Sequence, residues 1–381
     1  MPMLNSNKDN IITVVGAGPA GLSAAITLAR AGKKVIVHEA QKEVGHRFKR
    51  DFQGLENWTT DRDVLEILNE LGIKTQFRYK PCRFVSSYDA WRNYYPVTND
   101  KPLFYLVERG PNAGSLDSAM LEQAIGMGID VKFNSRIRHF KGTGILAAGP
   151  KAADAIAVGY HFETDMADGC WVICDNRLAP KGYAYLLIWE GRGTVKTCMF
   201  SGFKQEQIYV KRTVEAFEKL LGLRMINPVS HGGVGNFYLP ARAYGGRRPI
   251  AGEQAGFQDS LWGFGMRHAM LSGILAARSL LDDSDYDKLW SDAIGWQIKT
   301  SIVNRAFFNL LGNRGYRWFL NHQSKKTDTR EFLRKTYDKS FLKQLMLPLA
   351  RLYVKTARVD KSCNHIDCEC VWCRHGEHET G

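Results

Sequence analysis

The chain has 381 residues, 44% apolar and 24% charged, with a mean hydropathy of -0.29; this excludes disordered, collagen-like and membrane-spanning proteins and leaves one large or two ordinary domains with ample chain to bury a core. The formal net charge is +13, yet 15 basic and 4 acidic residues fall between Lys299 and Lys361, so the basicity belongs to a C-terminal region. Met1 to Asn10 lack the apolar core of a secretory leader and no apolar run reaches about 18 residues, so a cytoplasmic, reducing compartment is expected.

Ile11 to Val15 is a β-branched run with the pattern of a buried parallel strand. It leads directly into Gly16-Ala17-Gly18-Pro19-Ala20-Gly21. Leu22 to Ala31 reads as a helix stopped by Gly32, and Lys34 to Glu39 as a second strand ending in an acid, which completes a βαβ unit. A helix is expected over Asp61 to Leu71, capped by Thr60 or Asp61, then several strands between Thr75 and Glu108 and a helix over Ser115 to Met127. Gly144 to Pro150 reads as a short buried strand ending in a glycine turn. Ala155 to Phe200 suggests an antiparallel sheet with a hairpin at Gly191 to Gly193, followed by a helix over Glu206 to Leu221. A long helix is expected from Gly263 to Leu281, and the pattern from Tyr286 to Arg358 is helical.

In Gly16-x-Gly18-x-x-Gly21 the first glycine permits a tight turn, the second lets the backbone approach a pyrophosphate, and the third permits close packing of helix on strand. Pro19 and Ala20 open the helix whose free amides and dipole face the phosphates. Glu39, 18 residues after Gly21, is placed to accept hydrogen bonds from ribose hydroxyls, with Ala40 beside it. Strand, helix, strand and acid together indicate dinucleotide binding; a glycine-rich turn without ligand is the bland alternative.

The loop motif does not separate FAD from NAD, but a later segment does. Gly252-Glu253-Gln254-Ala255-Gly256-Phe257, followed by Gly263-Phe264-Gly265, resembles the late motif of FAD-dependent geranylgeranyl reductases and FixC-like flavoprotein dehydrogenases. The resemblance covers roughly Ile11 to Leu281. It implies that Glu253 replaces the aspartate that binds ribityl hydroxyls, and that Gly263, Phe264 and Gly265 present amides to the flavin at a helix N-terminus. The bland alternative is a turn and a core helix. The resemblance also makes Arg47, Arg109 (in an R-x-x-x-D-like stretch with Asp117) and Gly149 candidate cofactor contacts, with a surface arginine the alternative for Arg109. Tyr183 and Tyr185, alternating on one strand, become walls of a substrate cavity, although alternating aromatics also serve as plain core. The chain departs from the archaeal lipid reductases in having no cysteine-glycine element between Gly45 and Gly54, and Ser260 stands where the motif has proline.

Four cysteines, Cys363, Cys368, Cys370 and Cys373, crowd the tail beside His365, His375 and His378. They are candidate ligands for Zn²⁺ or an iron–sulfur cluster, redox thiols, or part of an unstructured tail, because their spacing fits no standard frame. The basic C-terminal helices suit either peripheral contact with the inner face of a membrane or a solvated face over a cavity. No nucleic-acid recognition module is present in the sequence pattern.

The expected fold class is α/β. A Rossmann-like FAD-binding domain of glutathione-reductase type (residues 1–75, 103–150 and 240–282) interleaves with an antiparallel-sheet substrate domain (76–102 and 151–239). A basic helical region (283–361) and a Cys/His-rich tail (362–381) follow. The expected activity is FAD-dependent reduction of C=C bonds in an apolar isoprenoid or lipid-like substrate, with NAD(P)H, ferredoxin or another protein as electron donor. The alternatives are a flavin monooxygenase or halogenase of the same fold, or an electron-transfer or quinone-reducing flavoprotein.

Overall fold

Strand β1 (Ile12–Val15) has both neighbours in register at its buried residues, so a run of β-branched side chains lies in the middle of a sheet, as its composition requires. The computed structural model describes residues 11–137, 140–150 and 153–354. Helix α1 (Pro19–Arg30) carries the chain from β1 to β2 (Val35–His38). With β8 (Asp130–Lys132) and β9 (Gly144–Leu146) these strands make a parallel sheet of order β8-β2-β1-β9. Against it pack α1, α3 (Leu116–Gly126) and α5 (Met266–Leu281), which share the largest buried core. A Cβ at Gly273 would lie 2.0 Å from the Ala20 carbonyl oxygen, so glycine there lets α5 touch the first turn of α1.

A second sheet, of order β3-β7-β4, is antiparallel and contains β3 (Phe52–Glu56), β4 (Tyr79–Cys82) and β7 (Phe104–Glu108). Beside it, α2 (Val64–Glu70) starts later than the sequence suggests. Its cap is Asp63, whose carboxylate accepts from Leu65 N at 2.9 Å, while Asn57 Oδ1 accepts from Val64 N at 2.7 Å.

The largest sheet has seven strands in the order β14-β10-β13-β12-β11-β5-β6. These are β5 (Phe84–Asp89), β6 (Tyr94–Thr98), β10 (Ala155–Glu163), β11 (Gly169–Cys174), β12 (Tyr183–Trp189), β13 (Arg192–Met199) and β14 (Ile226–Gly235). It is mixed and not purely antiparallel: β5 runs parallel to β11. The long stretch of chain between these two strands frees them from the hairpin constraint that reverses direction. β4, expected in this sheet, instead pairs with β7. The hairpin between β12 and β13 turns at Glu190 and Gly191, both with positive φ, as a two-residue turn requires.

Helix α4 (Glu206–Leu221) covers the large sheet near β13, and a short ribbon of β15 (Tyr244–Gly245) and β16 (Arg248–Pro249) leads back to the parallel sheet. There Ile250 bridges Leu146 in parallel, which sets the late glycine segment beside β9. The described C-terminal region is helical as expected: α6 (Tyr286–Trp290), α7 (Trp296–Gln323, broken at Gly312 with φ 58° and ψ -170°), α8 (Thr329–Thr336) and α9 (Phe341–Tyr353). Arg305 of α7 is fully buried. It donates to the carbonyls of Ser260 (2.8 Å), Leu261 and Lys181 (2.5 Å), tying α7 to the late segment and to the entry of β12. No helix among the described residues is long and apolar enough to cross a membrane.

Candidate functional site

The glycine loop separates structural glycines from one that the chain itself does not need. Gly16 has φ +103° and a Cβ there would meet Ala147 O at 2.2 Å; a Cβ at Gly21 would meet Gly16 O at 1.9 Å. Gly18 has φ -76° and ψ 177°, which any residue adopts, and among the described residues nothing lies within 4 Å of the position a Cβ would take. Its openness is a cradle facing outward from the first turn of α1, where no side chain caps the free amides and Pro19 occupies N1. Glu39, at the end of β2, accepts from Ala17 N at 2.8 Å and Gln41 N at 2.9 Å, so its carboxylate is anchored beside the loop; Ala40 is exposed next to it. These features fit the pyrophosphate and ribose of a dinucleotide.

The late segment folds onto this loop. Gly252 has φ +66° and a Cβ there would press on the Ala20 methyl at 2.8 Å, and Ala148 N, beside Gly149, donates to Gln254 Oε1 at 2.7 Å. Arg47 and Glu253, 206 residues apart, form an ion pair at 2.9 Å, and Glu253 also accepts from Asn236 N at 3.0 Å. Two expected cofactor contacts are thus joined to each other. Gly263 has φ +80°, so α5 begins at Met266 and not at Gly263, with Gly265 as its N-cap. The Phe264 ring packs edge-on against Trp58 at 4.7 Å, and its N–H neighbours lead into the helix N-terminus. Arg109 is neither a surface side chain nor free to reach outward. It is buried, paired with Asp117 through two hydrogen bonds of 2.8 and 2.9 Å, and lies 4.0 Å over the Phe48 ring.

The side chains of β10, β12, β13 and β14 add a feature that the sequence did not reveal. Ladder partners share a face of a sheet, and Tyr185 opposes Lys196, Tyr183 opposes Cys198, and both Lys196 and His231 oppose Gly159. Tyr183 donates to Trp262 O of the late segment, and burial pushes both tyrosine hydroxyls well above their ordinary pKa. Next to them Lys196 Nζ donates to Asp51 Oδ2 at 2.6 Å and to His231 Nδ1 at 2.9 Å; His161 Nε2 donates to the other Asp51 oxygen at 3.0 Å, and the two imidazoles stack at 4.2 Å. His231 Nε2 donates to Arg47 O at 2.9 Å, which connects the cluster to the Arg47–Glu253 pair.

Both ions of this cluster are almost wholly buried. Burial opposes the charge on Asp51, but the Lys196 ammonium and the His161 hydrogen bond overcome it and hold the carboxyl well below the usual range. Burial lowers Lys196, with Asp51 resisting, and burial together with Lys196 lowers His231 to about 3, so His231 is neutral. Asp51, His161 and His231 have the spacing of a metal triad, within 4.8 Å of one another. Lys196 Nζ already bonds two of these three groups, so the place a cation would take holds an ammonium. Tyr183 and Tyr185 gave the one sequence signal for this face; Asp51, His161, Lys196 and His231 come from four separate strands or loops.

The proposed metal ligands Cys363, Cys368, Cys370 and Cys373 lie outside the described residues. A surface cavity of about 700 Å³ is lined by Arg92, Arg177, Arg212 and other residues of α4 and the loop after β11; it contains none of the motif residues.

A profile of NAD(P)-binding Rossmann-like domains matches residues 14–62. A putrescine oxidase from Kocuria rosea is 43% identical over 77 residues, a match that spans 18% of this chain and only 16% of that enzyme. Among solved structures, a geranylgeranyl bacteriochlorophyll reductase-like protein from Thermoplasma acidophilum superposes with a TM-score of 0.67 at 19% identity, covering 91% of this chain and 98% of that one. A flavin-dependent brominase superposes with a TM-score of 0.60 at 14% identity, covering 86% and 92%. The chain therefore has the mixed α/β fold of FAD-dependent flavoproteins, with its Rossmann-like unit in residues 14–62. Its particular architecture is similar to the geranylgeranyl reductase-like form over nearly the full length of both chains.

Proposed function

We propose that this protein is an FAD-dependent oxidoreductase that reduces C=C bonds of an apolar, isoprenoid or lipid-like substrate. The observation that carries the reading is the buried Asp51–Lys196–His231 cluster. It lies on the sheet face that also carries Tyr183 and Tyr185, and Arg47 links it to the late motif. The cofactor, when bound, supplies the hydride.

The chain's residues supply the rest. Gly18 and the first turn of α1 would hold the pyrophosphate and Glu39 the ribose, and the Arg47–Glu253 pair with the N-terminus of α5 would border the redox end. Reduction of an alkene needs a proton as well as a hydride. Lys196 is an acid made readier to release its proton by burial, and Asp51 keeps it oriented. His231, neutral, accepts from Lys196 at Nδ1 and donates from Nε2 to the Arg47 carbonyl, so it holds the ammonium in place while solvent restores the proton after turnover. Tyr183 and Tyr185 exclude water from the same face. The electron donor would be NAD(P)H bound transiently, or ferredoxin or another protein.

The test is an anaerobic reaction of FAD-loaded, dithionite-reduced protein with prenyl alkenes in D2O. The reading expects products that have gained one pair of solvent deuterium atoms per reduced bond, because dithionite supplies electrons only, and a slower reaction in His231→Gln. A second reading, a flavin monooxygenase or halogenase, is favoured by the fold likeness to the brominase. Rapid NADPH-dependent oxygen consumption without alkene reduction would establish it. Quinone reduction without either would point to an electron-transfer flavoprotein.

A further inference from the structure

Helix α9 is apolar on two sides. Its inner side, Met346, Leu347 and Ala350, packs on the main core. Its outer side carries Phe341, Leu342, Leu345, Leu349 and Leu352, which are 82%, 63%, 66%, 71% and 71% exposed. These positions follow the helical repeat, so they form one continuous stripe along three turns, with exposed Pro348 inside it. An isolated exposed leucine needs no explanation; a stripe of five large apolar side chains does.

The charges around the stripe are predominantly basic, with Asp338 the exposed acid just before the helix. α9 contains no acidic residue, Lys339 precedes its cap Ser340, and exposed Arg351 lies in its last turn. Lys335, on the preceding helix, is 63% exposed although it pairs with Glu331 at 2.9 Å, and the whole 299–361 region has 15 basic residues against 4 acidic. On α7, Phe307, Leu310 and Trp318 add exposed apolar groups of the same region. A protein partner of ordinary composition would meet this basic rim with no preference, whereas an anionic bilayer matches both parts: acyl chains for the stripe and headgroup phosphates for its rim.

We propose that the outer face of α9 docks on the surface of an anionic lipid bilayer, with the helix lying in the interface. This goes beyond the reading of the reaction and does not depend on it, although an interfacial position would give an apolar substrate a route from the membrane.

The experiment is co-sedimentation of the full chain with phosphatidylcholine vesicles, with and without phosphatidylglycerol, at low and high salt. A Leu345→Asp/Leu349→Asp double variant is run in parallel. Both side chains are exposed, so the variant should keep its circular dichroism and unfolding transition. The expected result is binding to the anionic vesicles that weakens with salt and falls at least about tenfold in the double variant. Absence of vesicle binding by the folded wild type, or equal binding by the variant, would overturn the proposal. So would light scattering that finds a wild-type dimer and a monomeric variant, because a second copy would then be the occupant. The readout needs no turnover, so a chain that binds vesicles but leaves alkenes untouched refutes the reaction and not the docking.

Discussion

Gly16, Gly18 and Gly21 stand in one motif, yet each is glycine for a different reason. The first and third answer to backbone oxygens within 2.2 Å of any added Cβ, and the second answers to nothing in the chain. Gly18→Ala is therefore expected to leave unfolding within about 0.5 kcal/mol of wild type while weakening FAD binding about tenfold or more. Gly21→Ala should instead cost about 3 kcal/mol of stability or more. Urea denaturation and FAD titration of the two variants check the contrast; equal loss of stability would refute the division of roles. In the buried cluster, His231→Gln should slow the reaction several-fold at saturating reductant, with little change in cofactor affinity. Lys196→Met would leave the Asp51 charge without its cation, held by the hydrogen bonds of His161 and Gln53, at a cost of about 3 to 5 kcal/mol, so a failure of that variant to fold says nothing about catalysis. The glycines and Glu39 were legible in the sequence because their spacing is local. Asp51, His161, Lys196 and His231 were not, because only sheet register brings them together.

At the scale of elements, Arg305 is the buried donor that holds α7 to the rest. Among the described residues no carboxylate lies within bonding distance of it; its guanidinium satisfies three carbonyls of Lys181, Ser260 and Leu261 and lies 3.6 Å over the Phe200 ring. Arg305→Met should destabilise the protein by about 3 kcal/mol, since those carbonyls would be left unpaired, and Arg305→Lys should recover part of the loss because it keeps charge but not the planar fork. Urea midpoints measure both; an unchanged Arg305→Met midpoint would mean that α7 is held by its apolar contacts. Most elements could be read from patterning and punctuation. The misreadings came where side chains or context overrode them: Asp63, not Thr60 or Asp61, caps α2, positive φ at Gly263 delays α5, and a long connection lets β5 pair in parallel with β11. Arg305 reads in sequence as one more basic residue of a basic region, because nothing local marks a cation destined for burial.

For the whole molecule, three buried groups set the response between about pH 7 and about pH 5. Burial lowers His231 to about 3 and His268 to about 4, and His268 Nε2 has no partner, so both are neutral when folded and gain a proton on unfolding below about pH 6.5. Each contributes stability that is lost as pH falls, at about 1.4 kcal/mol per pH unit between its two pKa values. Asp259 works in the opposite direction. Burial raises it to about 6 despite hydrogen bonds from Trp262 N, Leu261 N and Tyr337 Oη, so it adds stability below that pH that is lost as pH rises through it. The net expectation is a fall in unfolding free energy from about pH 7 to about pH 5, shallower in His268→Gln and steeper in Asp259→Asn. Urea titrations at the two pH values decide it, and a flat profile would contradict the assignment.

Two distant segments and one sheet face form the site, and the claim that unites them is that the chain binds FAD. The most direct test is to load the purified protein with FAD, remove the excess, and record its absorption spectrum with the chromophore identified after release. The account predicts FAD at about one per chain, with oxidised bands near about 375 and 450 nm, and loss of that chromophore in Gly18→Ala. A folded wild-type protein that retains no flavin, or that binds NAD(P)H in its place at the glycine loop, would contradict it.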